Sequence, residues 1–138
     1  MHNTSNGGYL KMHADFNYNE NLGLYRRLNL LIYLNTDWQD NYGGFLEIED
    51  TNKQFFKKVK PDINTTVLFV TDDDSIHGHP VPMKLPDDVT RKSIALYYYT
   101  KEKPQKGHYA IRNNTKYYSD KKDNTNFIKK IINLIKTI

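Results

Sequence analysis

The chain has 138 residues, which is enough for one domain with a single core and too few for two. It contains no cysteine, which excludes disulfides and thiolate metal ligands and leaves histidine and carboxylate as the plausible ones. No apolar stretch approaches the roughly 20 residues of a membrane-spanning helix, and residues 1–8 are polar. We therefore expect a cytoplasmic protein without a membrane partner.

The formal net charge of +4 comes from the C-terminal part of the chain. Residues 1–100 carry ten basic and thirteen acidic side chains, whereas residues 101–138 carry ten basic and three acidic ones. Lysine outnumbers arginine sixteen to four and asparagine is abundant, a bias that an AT-rich genome produces without selection for phosphate binding. A solvated basic surface is therefore favoured, and no nucleic-acid partner is expected.

Short strands separated by turn signals fill the first hundred residues, and the eleven tyrosines of the chain add to the β tendency. In chain order the predicted strands are Tyr9 to Asp15, Arg27 to Asn35, Phe45 to Glu49, Thr66 to Thr71 and Arg91 to Thr100. The fourth has the composition of a buried strand, and His77 is expected in a loop after it. The absence of a helical period predicts a mainly β sandwich or barrel.

Beyond Thr100 the composition shifts toward lysine, asparagine and glycine, which predicts a domain over residues 1–100 and a basic extension over residues 101–138. A short amphipathic helix is predicted from Asn124 to Ile138. Its apolar positions are Ile128, Ile131, Ile132 and Ile135, and its polar positions are Lys129, Lys130, Asn133 and Lys136. We expect the apolar face to pack against the barrel, with a homodimer contact or a membrane surface as less favoured alternatives.

His13 and Asp15 are the first candidate metal ligands, because side chains two residues apart on a strand point to the same face. Such a pair is common by chance and needs a third ligand. His77 supplies it, since two histidines and one carboxylate form the facial triad of non-haem iron(II) oxygenases, which leaves coordination positions free. His79 is the alternative to His77, but it precedes a proline that would constrain it in a turn.

A candidate carboxylate-binding site follows at the start of the last predicted strand. Arg91 lies fourteen residues after His77, and Ser93 and Ala95 share its face of the strand. An arginine binds a carboxylate through two parallel hydrogen bonds and is always charged, so Arg91 could anchor one end of a dicarboxylate whose other end chelates the metal. Tyr33 could add a phenolic hydrogen bond, or simply fill the barrel.

Five segments in order resemble the prolyl-4-hydroxylase-like branch of the iron(II)- and 2-oxoglutarate-dependent oxygenases, over most of residues 8–100. They are GYLKMHADFN, RRLNLLIYLNTDW, YGGFLEI, SIHGHPVP and RKSIALYYYT. The resemblance implies a double-stranded β-helix, a jelly-roll or cupin-like barrel, to which we add the short C-terminal helix. In family members a further strand usually precedes the His-x-Asp segment, so the first core strand is expected to be missing here.

The resemblance also implies roles for particular residues. His13, Asp15 and His77 would bind iron(II). Arg91, Ser93 and Tyr33 would bind the far carboxylate of 2-oxoglutarate, and Asn29 and Leu31 would line the same pocket.

The implied reaction is hydroxylation of a small-molecule or peptide substrate by dioxygen, with release of succinate and carbon dioxide. Ascorbate is left open as an additional cofactor. A prolyl residue is the substrate that analogy suggests, while a free amino acid, a sugar or another protein side chain fits equally well.

Two alternatives keep the barrel but not this reaction. A truncated, non-catalytic barrel would serve as a metal- or partner-binding module, which an absent first core strand would favour. A cupin-type metal enzyme without 2-oxoglutarate would share the histidine ligands but leave Arg91 and Ser93 unexplained.

Overall fold

Strands form nearly all of the regular structure. The structure, a computed structural model, describes residues 1–52, 56–105 and 110–118. Within these residues the strands are β1 (His2–Thr4), β2 (Leu10–Ala14), β3 (Tyr18–Asn19), β4 (Leu24–Tyr33), β5 (Leu46–Glu49), β6 (Phe56–Val59), β7 (Thr66–Val70), β8 (Ile76–His79), β9 (Arg91–Thr100) and β10 (Lys116–Tyr117). A 3₁₀ helix, Asp40–Tyr42, is the one helical element of the described chain. The mainly β prediction is confirmed.

The described strands form two antiparallel sheets that share a core. One sheet runs β1-β9-β4-β3, with β7 also paired to β4, and the other runs β10-β2-β8-β5-β6. Tyr33 from the first sheet packs against Leu46 and Ile48 from the second, and all three are buried. The inward face of each strand thus covers the other sheet, which is how a sandwich or barrel buries its apolar side chains.

The two longest strands, β4 and β9, set the geometry of the first sheet. Their antiparallel register places Leu31 opposite Ala95 and Tyr33 opposite Ser93. Directly opposed residues of an antiparallel pair project from the same face, so these four side chains share the inner surface of the sheet. The predicted grouping of Arg91, Ser93 and Ala95 on one face therefore also brings them close to Tyr33.

The structure differs from the sequence prediction at His77 and at Thr66 to Thr71. His77 lies within β8, not in a loop, because β8 pairs with β2 on one side and with β5 on the other. The predicted buried strand is β7, where only Val67 and Phe69 pack inward while Leu68 and Val70 are exposed. The apolar composition of this segment suggested a strand buried on both faces, but only one face of β7 is buried.

Besides β8, the short strands β1, β3, β6 and β10 fall where no strand was predicted. β1 lies in the polar N-terminal segment and pairs with the start of β9, opposite Arg91 and Ser93. β6 lies in the segment predicted as a lysine-rich turn and pairs with β5 at the sheet edge. Three of its four residues are exposed, so lysines can occupy it without burying charge.

A second apolar cluster closes one end of the barrel. Trp38, Met83 and Leu85 are buried together, and the Trp38 indole donates a hydrogen bond of 3.0 Å to the carbonyl of Gly43. Gly44 has a φ of 65°, which a residue with a side chain adopts only at a cost in strain. Trp38 thus packs the turn, and the turn supports the Gly44 carbonyl at the edge of the site.

Part of the predicted basic extension joins the barrel. β10 pairs with β2 opposite His13 and Ala14, and the Arg112 carbonyl accepts hydrogen bonds from the backbone amides of Asn17 and Tyr18. The predicted helix Asn124 to Ile138 lies outside the described residues, and the domain boundary at residue 100 stays a prediction. None of the described helical structure has the length and apolar character needed to cross a membrane.

Candidate metal centre

His13, Asp15 and His77 converge at one point of the described structure. Their ligand atoms all lie within 4.8 Å of one another. His13 Nε2 is 3.4 Å from Asp15 Oδ1, and His77 Nε2 is 3.5 Å from Asp15 Oδ2. The antiparallel pairing of β2 with β8 sets His13 directly opposite His77, which explains why residues so distant in sequence meet.

Backbone carbonyls orient both imidazoles. His13 Nδ1 lies 2.8 Å from the carbonyl oxygen of Lys11, and His77 Nδ1 lies 3.0 Å from that of Ser75. A carbonyl only accepts hydrogen bonds, so each Nδ1 carries the proton and each Nε2 keeps its lone pair. The hydrogen bond on the far nitrogen is the usual way in which proteins fix a metal-binding histidine.

The Asp15 carboxylate is held by two buried side chains of β4. Its Oδ2 oxygen accepts hydrogen bonds from Arg26 Nη2 at 3.0 Å and from Asn29 Nδ2 at 2.7 Å. Burial raises the pKa of Asp15, but the surrounding His13, His77, Arg26 and Asn29 side chains outweigh it, and the pKa lies well below its usual range. Asp15 is therefore an anion at neutral pH, as a metal ligand must be.

His77 is held in its neutral form. Burial lowers the pKa of His77 to about 4, although the Asp15 carboxylate acts in the opposite direction. A neutral imidazole at pH 7 has a lone pair available for a cation without first releasing a proton.

All eight predicted site residues line one cavity between the sheets. This central cavity has a volume of about 360 Å³. The convergent triad lies on its wall together with Asn29, Leu31, Tyr33, Arg91 and Ser93. A concave site of this size, with apolar walls and a few convergent polar groups, is typical of small-ligand binding.

Arg91 is a buried cation in the wall of the central cavity. It is 6% exposed, its Nε donates a hydrogen bond of 2.8 Å to the Gly44 carbonyl, and its Nη2 donates one of 3.3 Å to the Tyr33 hydroxyl. Burial lowers the pKa of Arg91, but a guanidinium stays charged at neutral pH. Within the described residues no carboxylate forms an ion pair with it, so an anionic ligand would supply the missing counter-charge.

A family model described as the 2OG-Fe(II) oxygenase superfamily matches residues 1–99. The chain belongs to that superfamily. Membership implies iron(II) and 2-oxoglutarate, and the family resemblance stated from the sequence is confirmed. The convergent side chains suit this metal, because two imidazoles and one carboxylate form the facial ligand set of non-haem iron(II) oxygenases.

A comparison with solved structures shows the fold of the chain. The chain is similar to a crystal structure of a Pseudomonas putida prolyl-4-hydroxylase, with 20% sequence identity and a TM-score of 0.57. The match covers 75% of this chain and 52% of that one, so the chain spans about half the length of its structural relative. The double-stranded β-helix prediction is thereby confirmed. No curated protein sequence matches the chain.

His79, the alternative third ligand, faces the central cavity without joining the triad. Among the described residues the converging group contains His77 and not His79. His79 is 7% exposed, and its Nδ1 has no hydrogen-bond partner among the described residues. Burial, reinforced by the charge of Arg91, lowers the pKa of His79 to about 4.

Sequence reasoning missed several residues that shape the candidate site. Arg26, which binds the iron-ligand candidate Asp15, was not singled out, and neither were Phe69, Tyr97 and Tyr117, which line the central cavity. Phe69 lies beside the His77 ring and Tyr117 beside the His13 ring, with ring centroids 4.6 and 5.6 Å apart. Strand alternation was the available signal for Phe69, since Val67 and Phe69 occupy the inward positions of β7.

Proposed function

We propose that this chain is an iron(II)- and 2-oxoglutarate-dependent dioxygenase that hydroxylates a peptide or small-molecule substrate. The observation that carries the proposal is that one cavity contains both the three candidate iron ligands and the buried Arg91, which has no carboxylate partner among the described residues. The reaction balances with one dioxygen, one 2-oxoglutarate and one C–H bond consumed, and one hydroxyl, one succinate and one carbon dioxide formed. A cupin-type metal enzyme without a dicarboxylate would leave a buried cation without a role.

His13, Asp15 and His77 would hold the metal through two Nε2 atoms and one carboxylate oxygen. Iron(II) would supply oxygen activation there, and ascorbate is an additional reductant consistent with that role. The chain's own contribution is orientation. The Lys11 and Ser75 carbonyls keep both Nε2 lone pairs available, while Arg26 and Asn29 hold Oδ2 of Asp15.

Arg91 would bind the distal carboxylate of 2-oxoglutarate. Its Nε is already committed to the Gly44 carbonyl, which fixes the plane of the guanidinium, and Nη2 is within reach of the Tyr33 hydroxyl. Ser93, two residues on along β9, offers a further hydroxyl in the central cavity. A dicarboxylate with one end on the metal and the other on Arg91 would neutralise both positive ends of the site.

The remaining predicted residues would shape the pocket. Leu31 gives it an apolar wall, which favours the carbon chain of the co-substrate over water. Asn29 acts through Asp15, because its amide donates to the carboxylate and its carbonyl oxygen accepts from Arg26 Nε at 2.9 Å.

A prolyl residue is the first substrate to test, because the structural relative is a prolyl-4-hydroxylase. A fold similarity at 20% identity gives weak support for a substrate, so free amino acids and other protein side chains belong in the same screen. The cytoplasmic location stays a prediction from the sequence.

Conversion of 2-oxoglutarate to succinate tests the proposal before any substrate is known. The purified chain with iron(II), ascorbate, dioxygen and 2-oxoglutarate is expected to form succinate slowly. The substrate that the protein hydroxylates should accelerate succinate formation. Asp15→Ala, which lacks a metal ligand, is expected to form none. Metal-dependent binding of 2-oxoglutarate without any succinate would instead identify a binding module.

A further inference from the structure

His79 is a buried imidazole whose role neither the metal centre nor the packing explains. It is 7% exposed and lines the central cavity, and its buried Nδ1 atom lacks a hydrogen-bond partner among the described residues. Leaving a buried polar group unsatisfied is costly, so the few unsatisfied groups of a native structure call for an explanation. An empty partner position on a side chain that lines a ligand cavity points to the ligand as the partner.

The strand geometry separates His79 from the metal. His77 and His79 are two residues apart on β8, so they point to the same face and both enter the central cavity. His77 is opposite His13, whereas His79 is opposite Leu10, farther along β2. The triad is complete without it.

His79 belongs to the end of the cavity that contains Arg91. A second, smaller cavity of about 130 Å³ is lined by both His79 and Gly44. The Gly44 carbonyl accepts the hydrogen bond from Arg91 Nε, so His79 shares this small cavity with the residue that binds the guanidinium. The ligand group expected at this end is the distal carboxylate of the co-substrate.

We propose that His79 is a further co-substrate-binding residue, whose Nδ1–H donates a hydrogen bond to the carboxylate held by Arg91. This inference rests on the proposed function, since it assigns a contact within the same co-substrate site. A carboxylate would then receive donors from opposite sheets, Arg91 from β9 and His79 from β8. Donors of fixed geometry on two sides favour a dicarboxylate of one length over shorter and longer ones.

The test is calorimetric titration of 2-oxoglutarate into protein loaded with manganese(II), which occupies the metal site without turnover. His79→Leu removes the donor at nearly constant volume, and we expect about ten- to a hundredfold weaker binding, the effect of one hydrogen bond to a charged group. Manganese affinity should not change. Without ligand, His79→Leu should melt at the same or a higher temperature, because it removes an unsatisfied buried group, whereas a purely structural histidine would lower it.

Two amide variants show which ring nitrogen of His79 makes the contact. They also replace His79→Leu in the test if that variant does not fold. The amide nitrogen of His79→Asn can occupy the position of Nδ1 and is expected to retain most of the affinity. His79→Gln places its amide near the position of Nε2 and is expected to bind as weakly as His79→Leu.

The outcomes separate this inference from the proposed function. If the unchanged chain binds manganese but not 2-oxoglutarate, the proposed function and the role of His79 both fail. If the unchanged chain binds 2-oxoglutarate and all three variants bind it equally well, the proposed function stands and His79 is not a co-substrate residue.

Discussion

Arg26 Nη2 donates a hydrogen bond of 3.0 Å to Asp15 Oδ2, and both side chains are largely buried. The Arg26 guanidinium also lies over the Tyr97 ring, 3.9 Å from its centroid, and donates through Nε to Asn29. These contacts leave Arg26 little freedom, so the carboxylate it binds has a fixed plane. The site therefore depends on a layer of residues behind the ligands as well as on the ligands themselves.

Arg26→Met tests this supporting layer. The substitution keeps an unbranched side chain over Tyr97 but removes the donors to Asp15 and Asn29, and we expect about ten- to a hundredfold weaker iron(II) affinity, the usual effect of losing such a partner. Metal affinity measured by competition with a chelator gives the result. Arg27→Met is the matched control, because Arg27 is half-buried and does not line the central cavity. Equal affinities in both variants would refute a role for Arg26.

Asp15→Ala is expected to abolish iron(II) binding at micromolar metal. It removes the only anionic ligand of the described triad, which is also the carboxylate that Arg26 Nη2 contacts. Metal content after desalting is the measurement, and circular dichroism checks that the variant is folded. Asp87→Ala, which removes an exposed carboxylate, should retain iron. Retention of iron by Asp15→Ala would show that other residues bind it.

Arg91→Ala is expected to weaken 2-oxoglutarate binding by at least about tenfold while sparing iron(II), because it removes a charged hydrogen-bond donor that lines the cavity but is not one of the converging metal ligands. Arg91→Lys should recover part of the affinity, since it restores the charge but not the planar fork. Lys92→Ala is the control on the same strand, with an exposed side chain. Unchanged co-substrate affinity in Arg91→Ala would mean that another residue binds the carboxylate.

Gly78→Ala is expected to damage both the fold and the metal site. A Cβ atom at this position would lie 2.7 Å from the Leu10 carbonyl oxygen and 2.8 Å from that of Lys11, which are backbone atoms of the neighbouring strand. Forcing β2 away from β8 costs about 1–3 kcal/mol and separates His13 from His77. We expect a lower melting temperature together with weaker iron(II) binding.

Gly23→Ala provides the comparison for Gly78→Ala. Its Cβ would meet nothing within 4 Å, and only the φ of 62° resists the change. This variant should lose stability without losing metal affinity. If both variants bound iron equally well, close approach of β2 and β8 would not be what assembles the triad.

Strand alternation accounts for what could be predicted of the site. The spacing of two residues placed His13 with Asp15, and Arg91 with Ser93, on one face each, and the structure has all four in the central cavity. Nothing local in the sequence pairs His13 with His77, because their meeting depends on which strands are neighbours. The family resemblance supplied that information.

Arg26 escaped prediction because β4 is irregular. Alternation from Tyr33 through Leu31 and Asn29 reaches Arg27 as the inward residue, yet Arg26 is the buried one. The register with β9 shifts between Arg26 and Leu28, where one extra residue is inserted. A bulge of this kind reverses the inward and outward faces beyond it, and the sequence carried no glycine or proline to signal it.

The central claim is that iron(II) and 2-oxoglutarate bind together in one cavity of this chain. Anaerobic titration with both, followed by visible absorption, tests it most directly, because a keto acid chelated to iron(II) gives a charge-transfer band. We predict that the band appears in the unchanged protein, is absent from His13→Ala, and requires more 2-oxoglutarate in Arg91→Ala. A folded, iron-loaded protein that shows no band at saturating 2-oxoglutarate would contradict the account.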